Sequence, residues 1–230
     1  MISMTPRKHI PMSLTLLTPA VAIVLTLAVG AGIFGLLGFS PLGSLYTFFV
    51  APISRPDQIG DLFVKACPLI ITATGLVFCF RANVWNIGAK GQLVFGASFS
   101  GWVALSFPDR PAITLMPAMV LASIIGGVCW AMIPALLKVR FNTNEILVSL
   151  MLTYVAALFI DWLVRGPWRD PMSFGFPLTK MYSDAGLIHR IDVPLVGSLG
   201  QLHWGVVGAL LLAIVASFVL SRTILGFQIK

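Results

Sequence analysis

The sequence predicts an all-α, polytopic integral membrane bundle with about six transmembrane helices. Two observations carry that fold class. Of the 230 residues, 58% are hydrophobic and only 10% charged, which is more apolar surface than one soluble core conceals. The apolar residues also gather in runs of ~20, the length that crosses a hydrocarbon layer about 30 Å thick at about 1.5 Å per helical residue. Such runs lie at 14–39, 62–80, 91–107, 113–137, 145–164 and 203–220.

Arg7, Lys8 and His9 precede the first run as they would precede a signal peptide. Leu14 to Phe39 nevertheless far exceeds a signal core of ~7–15 residues, so it is read as a retained span. The stretch Ser40 to Asp61 follows, and LYTFFVAPI within it is too short and broken for a span; it is expected as an interfacial or short re-entrant piece. Small residues four apart mark faces for close helix packing: Ala28/Gly32, Ala31/Gly35, Ala97/Gly101, Ala122/Gly126, Ser123/Gly127 and Gly205/Ala209. Lys65 and Asp161 are the ionisable groups inside the second and fifth runs, near the same end, where pairing with each other or snorkelling would lower the cost of burial. Between the fifth and sixth runs, Arg165 to Gln201 carries Pro167, Pro171, Pro177 and Pro194 with several glycines and is expected as an irregular loop.

Charge sets the orientation. With a cytoplasmic N-terminus, Arg7, Lys8, Arg81, Lys90, Lys138, Arg140, Arg222 and Lys230 share the inner side with Glu145 as its one acid. The other side mixes basic residues with six aspartates. The positive-inside rule therefore places both termini in the cytoplasm and 166–202 outside. A net charge of +7 follows from this asymmetry and does not point to nucleic acid, since no basic stripe with interleaved aromatics is present.

Chemistry-bearing motifs are absent. There is no G-x-S-x-G, H-E-x-x-H or G-x-x-x-x-G-K-[ST], so neither hydrolysis nor ATP binding through a P-loop is assigned to the chain. His9, His189 and His203 lack metal-ligand spacing, and no cofactor is expected. Cys67, Cys79 and Cys129 are odd in number, widely spaced and within predicted spans, so they are read as buried packing residues.

The connection RANVWNIGAKGQ, Arg81 to Gln92, is unusual between two spans. It reads either as a cytoplasmic turn, with Trp85 at the interface and Gly88 breaking the helix, or as a helix break lining a polar cavity. In the second case Asn83, Trp85, Asn86, Gly88 and Gln92 are candidate contacts for an uncharged polar solute. Asn144 and Glu145 open the fifth run. Capping accounts for this region if Asn142 caps the helix and Glu145, three residues later, completes a box and favours the positive helix end; a role at a gate is the alternative.

Four ordered stretches carry a resemblance. FRANVWNIGAKGQLVFG from Phe80, KVRFNTNEILVSLMLTYVA from Lys138, GPWRDPMSFGFP from Gly166 and RTILGF from Arg222 resemble the permease subunits of ATP-binding cassette importers for nucleosides and simple sugars, relatives of the ribose and branched-chain amino acid permeases. The similarity runs from about Leu62 onward. It implies one transmembrane permease domain over 1–230 in a bacterial plasma membrane. It also implies that Asn83, Trp85, Asn86, Gly88, Gln92, Asn144 and Glu145 are solute-path candidates. The implied partners are a cytoplasmic ATP-binding cassette ATPase, a second permease subunit and an extracytoplasmic solute-binding protein. Lys90 stands where the family usually has an acid. The family continues beyond the LGF motif into a segment that docks on the ATPase, so the chain is expected to be the N-terminal part of a longer permease. A secondary transporter or a non-transporting assembly subunit are the alternatives, and the first would require ionisable groups near mid-membrane.

Overall fold

The computed structural model describes residues 12–193 and 197–229. The elements are α1 (Met12–Leu36), α2 (Pro41–Leu45), a π-helical turn (Tyr46–Val50), α3 (Ala51–Ser54), α4 (Pro56–Arg81), α5 (Ala89–Ser106), α6 (Ala112–Phe141) and α7 (Glu145–Arg165). A 3₁₀ turn (Asp184–Gly186), β1 (Arg190–Val193), β2 (Gly197–His203), α8 (Trp204–Arg222) and α9 (Ile224–Gln228) complete the chain. Each of the six predicted spans coincides with a helix. Among the described residues, five of these helices are long and apolar enough to cross a membrane: most of α1, together with α4, α6, α7 and α8. Each holds a stretch of 18 residues that is strongly apolar, as helices that cross lipid do.

The sixth, α5, has 18 residues, about 27 Å at 1.5 Å per residue. It is less apolar because Gly, Ser and Ala occupy much of it, and those residues let α6 and α7 approach. Gly91, Gly96, Ser98, Gly101, Val103 and Ala104 are all buried. A Cβ on Gly96 would lie 2.8 Å from the Ser123 carbonyl oxygen of α6, and one on Gly126 of α6 would lie 2.7 Å from Cγ of Phe99. Gly91 of α5 is as close to α7, where a Cβ would lie 3.0 Å from Cα of Thr153. The order of contacts fixes direction: Gly91 lies against Trp130 and Gly96 against Ser123, so α5 runs antiparallel to α6, whereas Gly88 lies against Ser149 and Gly91 against Thr153, so α5 runs parallel to α7.

The chain divides into two compact units, one of residues up to Leu62 with Asp192–Gln201, the other Phe63–Ile191 with Leu202 onward. Within the first, Ser40 caps α2 and Pro41 opens it. The expected interfacial piece LYTFFVAPI is helical there, continuing through the π turn into α3. Phe34 of α1 meets Phe48 of that turn at 5.7 Å between ring centroids.

Within the second unit, Cys67 of α4 is buried with Val206 and Ala209 of α8. Its thiol contacts the Gly205 carbonyl at 3.5 Å, while at the other end the Arg81 guanidinium donates to the Leu220 carbonyl at 3.5 Å. The two helices are therefore parallel. The Gly205/Ala209 pair thus packs as small residues four apart should. By contrast, no described residue lies within 4 Å of where a Cβ on Gly32 would sit. Cysteine burial differs from expectation in one case: Cys67 is buried and Cys79 half-buried, but Cys129 is exposed.

Two further expectations are corrected. Asp161 pairs with Arg165, one turn along α7, at 2.8 Å and not with Lys65; an i,i+4 partner is already in place and costs no helix rearrangement. The 166–202 segment is not irregular throughout. It holds an Arg169–Thr179 bridge and the β1–β2 sheet, because Pro167, Pro171 and Pro177 fall outside the paired strands.

Gly96→Val should lower the thermal unfolding midpoint of the detergent-solubilised chain, at a cost of about 1–3 kcal/mol for overpacking a tight helix contact. Gly208→Val makes the same chemical change where no described residue lies within 4 Å and should leave the midpoint nearly unchanged. Equal effects of the two would contradict the packing assigned to α5.

Candidate functional site

The connection between α4 and α5 begins with a helix stop that asparagine makes possible. Asn83 adopts φ 55°, a left-handed conformation that asparagine tolerates better than most residues. Its N–H bonds the Phe80 carbonyl at 3.1 Å, and the Val84 N–H reaches the Cys79 carbonyl at 2.9 Å, the two bonds of a Schellman stop. α6 also ends on a left-handed asparagine, in the simpler single-bond form: Asn142 has φ 51° and its N–H bonds the Lys138 carbonyl. In both α4 and α6 the left-handed asparagine stands two residues after an arginine, in Arg81-Ala82-Asn83 and Arg140-Phe141-Asn142.

Residues 82–88 then run beside α6. Trp85 rests against Phe80, with ring centroids 5.5 Å apart. Asn86 and Gln92 face each other through their side-chain amides: Nδ2 of Asn86 donates to Oε1 of Gln92 at 3.2 Å, and Nε2 of Gln92 donates to Oδ1 of Asn86 at 3.3 Å. The same Asn86 oxygen accepts the Gly88 N–H at 2.9 Å, so this side chain shapes the turn that launches α5. Gly88 is buried against α7, where a Cβ would lie 2.9 Å from Cβ of Ser149. Glycine is required there by proximity. Ser149 holds the connection from the other side, accepting the Ile87 N–H at 3.3 Å.

A cavity of about 340 Å³ opens among these elements, lined by Trp85, Asn86, Gln92, Pro134, Glu145 and Ser149 with neighbouring residues of α4 and α6. Lys138, in the last turn of α6, and Glu145, in the first turn of α7, both line it and pair at 2.9 Å. Each charge sits at the helix end whose dipole favours it. Paired, they present little net field to a solute, and the amides of Asn86 and Gln92 with the hydroxyl of Ser149 are the uncharged polar groups of the wall. Irregular backbone beside apolar helices is stable where it is buried in protein or lines such a cavity.

Of the residues singled out in the sequence, Trp85, Asn86, Gln92 and Glu145 therefore meet around one cavity, although they come from two separate motifs. Gly88 supports its wall. Asn83 and Asn144 do not line it. Asn144 caps α7, its Oδ1 accepting the N–H groups of Ile146 at 3.0 Å and Leu147 at 3.3 Å, which corrects the expectation that Asn142 would do so; Asn142 is already committed to ending α6. Ser149 and Lys138 are wall residues that the motif reading passed over. Ser149 lies one turn after Glu145 on the same helix face, the one signal that identifies it. Among the described residues, no group of His, Cys, Asp and Glu is placed to hold a metal ion.

Residues 58–230 match the family model described as the permease component of the branched-chain amino acid transport system. The chain belongs to this permease family. It is similar over 99% of its length, at 32% identity, to a glucose ABC transporter permease protein of Haloferax volcanii. It is also similar to a guanosine ABC transporter permease protein of Bacillus subtilis, at 28% identity over 94% of its length. A nucleoside ABC transporter permease protein of Lactococcus lactis is 27% identical over 93% of the chain. The chain spans 61%, 60% and 59% of those three relatives respectively. No solved structure matches it.

The amide pair makes a direct prediction for this permease. Asn86→Ala and Gln92→Ala should each destabilise the chain, and the double variant should lose less than the sum, with a coupling of about 0.5–1.5 kcal/mol. Denaturant unfolding in detergent measures the cycle. Strict additivity would show that the two amides are not partners.

Proposed function

We propose that the chain is a membrane-spanning permease subunit of an ATP-driven importer and that its cavity beside Asn86 lies on the path of a nucleoside or simple sugar. The observation that carries this reading is the wall itself: two uncharged amides and an indole, on irregular backbone, inside a bundle of apolar helices. An uncharged polar solute crossing a membrane needs hydrogen-bond partners that replace water without the cost of burying a charge. Family membership and the named activities of the relatives support the same conclusion. Ion-gradient coupling lacks an equivalent support, since Asp161 is neutralised by Arg165.

In this reading, ATP binding and hydrolysis belong to a separate cytoplasmic ATP-binding cassette subunit. A second permease subunit completes the path, and an extracytoplasmic binding protein delivers the solute. Access alternates because the solute and the ATPase each favour different states of the bundle. The N-terminus is cytoplasmic, as the basic residues favour. α4 and α8 end on that side, and the Asn86 cavity is then the cytoplasmic end of the path.

Asn86→Leu in the assembled transporter should reduce solute uptake about tenfold, the consequence of leaving Gln92 and the solute short of one buried hydrogen bond, with the amount of permease in the membrane unchanged. Near-normal uptake would remove the cavity from the path. Orientation is tested separately in a chain whose three cysteines have been replaced. A cysteine at Met181, 93% exposed, should react with a membrane-impermeant thiol reagent from outside the cell, whereas one at Phe141, 69% exposed, should react only after the membrane is opened. The reverse pattern would invert the topology.

A further inference from the structure

We propose that a second cavity, between α5 and α7, binds a planar, uncharged heterocycle such as a purine nucleoside in preference to a sugar. This rests on the importer reading and narrows its solute. The cavity has a volume of about 320 Å³ and is lined by Ser98, Phe99 and Trp102 of α5, Phe159 and Leu163 of α7, and Trp168 of the segment that follows. Four aromatic rings from three parts of the chain therefore converge on one space. That space is at the lower end of the range of about 300–1,000 Å³ for small-molecule sites, suited to one fused ring system.

The wall discriminates by what it lacks. None of these six residues is charged. The single hydroxyl, Ser98, is buried and already donates to the Val94 carbonyl at 2.9 Å. A hexose brings hydroxyls on every side, and in such a cavity most would lose water without finding a partner. A heterocycle instead offers two flat faces that stack on aromatic rings, while its polar edge can point away from them.

The second cavity lies farther along α5 than the first. Ser98 lies six residues beyond Gln92, about 9 Å along the helix. Between them Phe95 stacks on Trp130 at 4.0 Å and 20° and meets Phe99 at 5.4 Å and Phe159 at 5.1 Å. The indole Nε1 of Trp130 is buried and finds no acceptor among the described residues. An aromatic layer with one unused donor thus separates an aromatic cavity from an amide-lined one, an order that suits a solute with a flat face and a polar edge.

The test is equilibrium binding of radiolabelled guanosine and, separately, glucose to the chain in phosphatidylcholine nanodiscs. Guanosine should bind saturably and at least tenfold more tightly than glucose. Trp102→Ala should weaken guanosine binding about tenfold, the usual effect of deleting one stacking ring, and Trp102→Phe should restore most of it. Trp102 is chosen because it is 57% exposed, whereas Phe99 packs on Gly126; unfolding midpoints of both variants verify that the bundle is intact. Unchanged affinity in Trp102→Ala, glucose bound as tightly as guanosine, or no saturable guanosine binding would each overturn the proposal. So would quenching of Trp102 fluorescence by brominated lipid that guanosine fails to relieve, because an acyl chain would then occupy the cavity. Tight glucose binding would refute the heterocycle assignment alone, since the importer reading depends on uptake by Asn86→Leu.

Discussion

The bundle depends on how closely α5 can approach its two neighbours. In lipid, no hydrophobic force draws one apolar helix to another, so packing must supply the attraction, and packing is best where side chains are small. α5 meets α6 through Gly96 on one side and through Gly126 on the other, and it meets α7 through Gly88 and Gly91. Its low hydropathy is the consequence: a helix whose surface is given to other helices does not need to dissolve in lipid.

That close approach positions the chemistry. Because α5 starts beside Ser149 and not at the tip of α6, the seven residues that join it to α4 are held alongside the last turns of α6. Their backbone groups are met from within: Asn86 accepts from Gly88 and Ser149 accepts from Ile87. The amides of Asn86 and Gln92 close on each other. A polar visitor would exchange one set of amide hydrogen bonds for another, which keeps the net energy of each exchange small. The Lys138–Glu145 pair ties the end of α6 to the start of α7 at the rim of the same cavity.

Much of this was legible in the sequence, and for identifiable reasons. Span positions follow from apolar run length, although helices extend beyond the runs where polar residues continue them, as α4 does back to Pro56 and α6 on to Phe141. Gly88 announced a break between two helices, and the break is there. Less legible was anything set by tertiary proximity. Whether Asn142 or Asn144 caps α7 depends on which of them α6 requires in a left-handed conformation. The pairing of Asp161 is visible in the sequence as an i,i+4 arrangement with Arg165. The pairing within 166–202 was obscured by Pro171 and Pro177, which lie between the bridged residues Arg169 and Thr179. The meeting of Glu145 with Trp85 and Gln92 joins motifs more than fifty residues apart, and the motifs name the participants without giving their distance.

The central claim is that α5 threads the bundle along its length, antiparallel to α6 and parallel to α7. Pulsed electron paramagnetic resonance in a chain lacking Cys67, Cys79 and Cys129 tests it directly, with one spin label at Trp102 and the second, in turn, at Val120, Leu136, Leu147 or Trp162, all of them 56–58% exposed. Residue 102 should lie close to residues 120 and 162, and farther from 136 and 147 by roughly 20 Å, the axial rise of about fifteen helical residues. Four similar distances, or the shorter ones to 136 and 147, would contradict the threading of α5 and with it the cavities assigned along its flank.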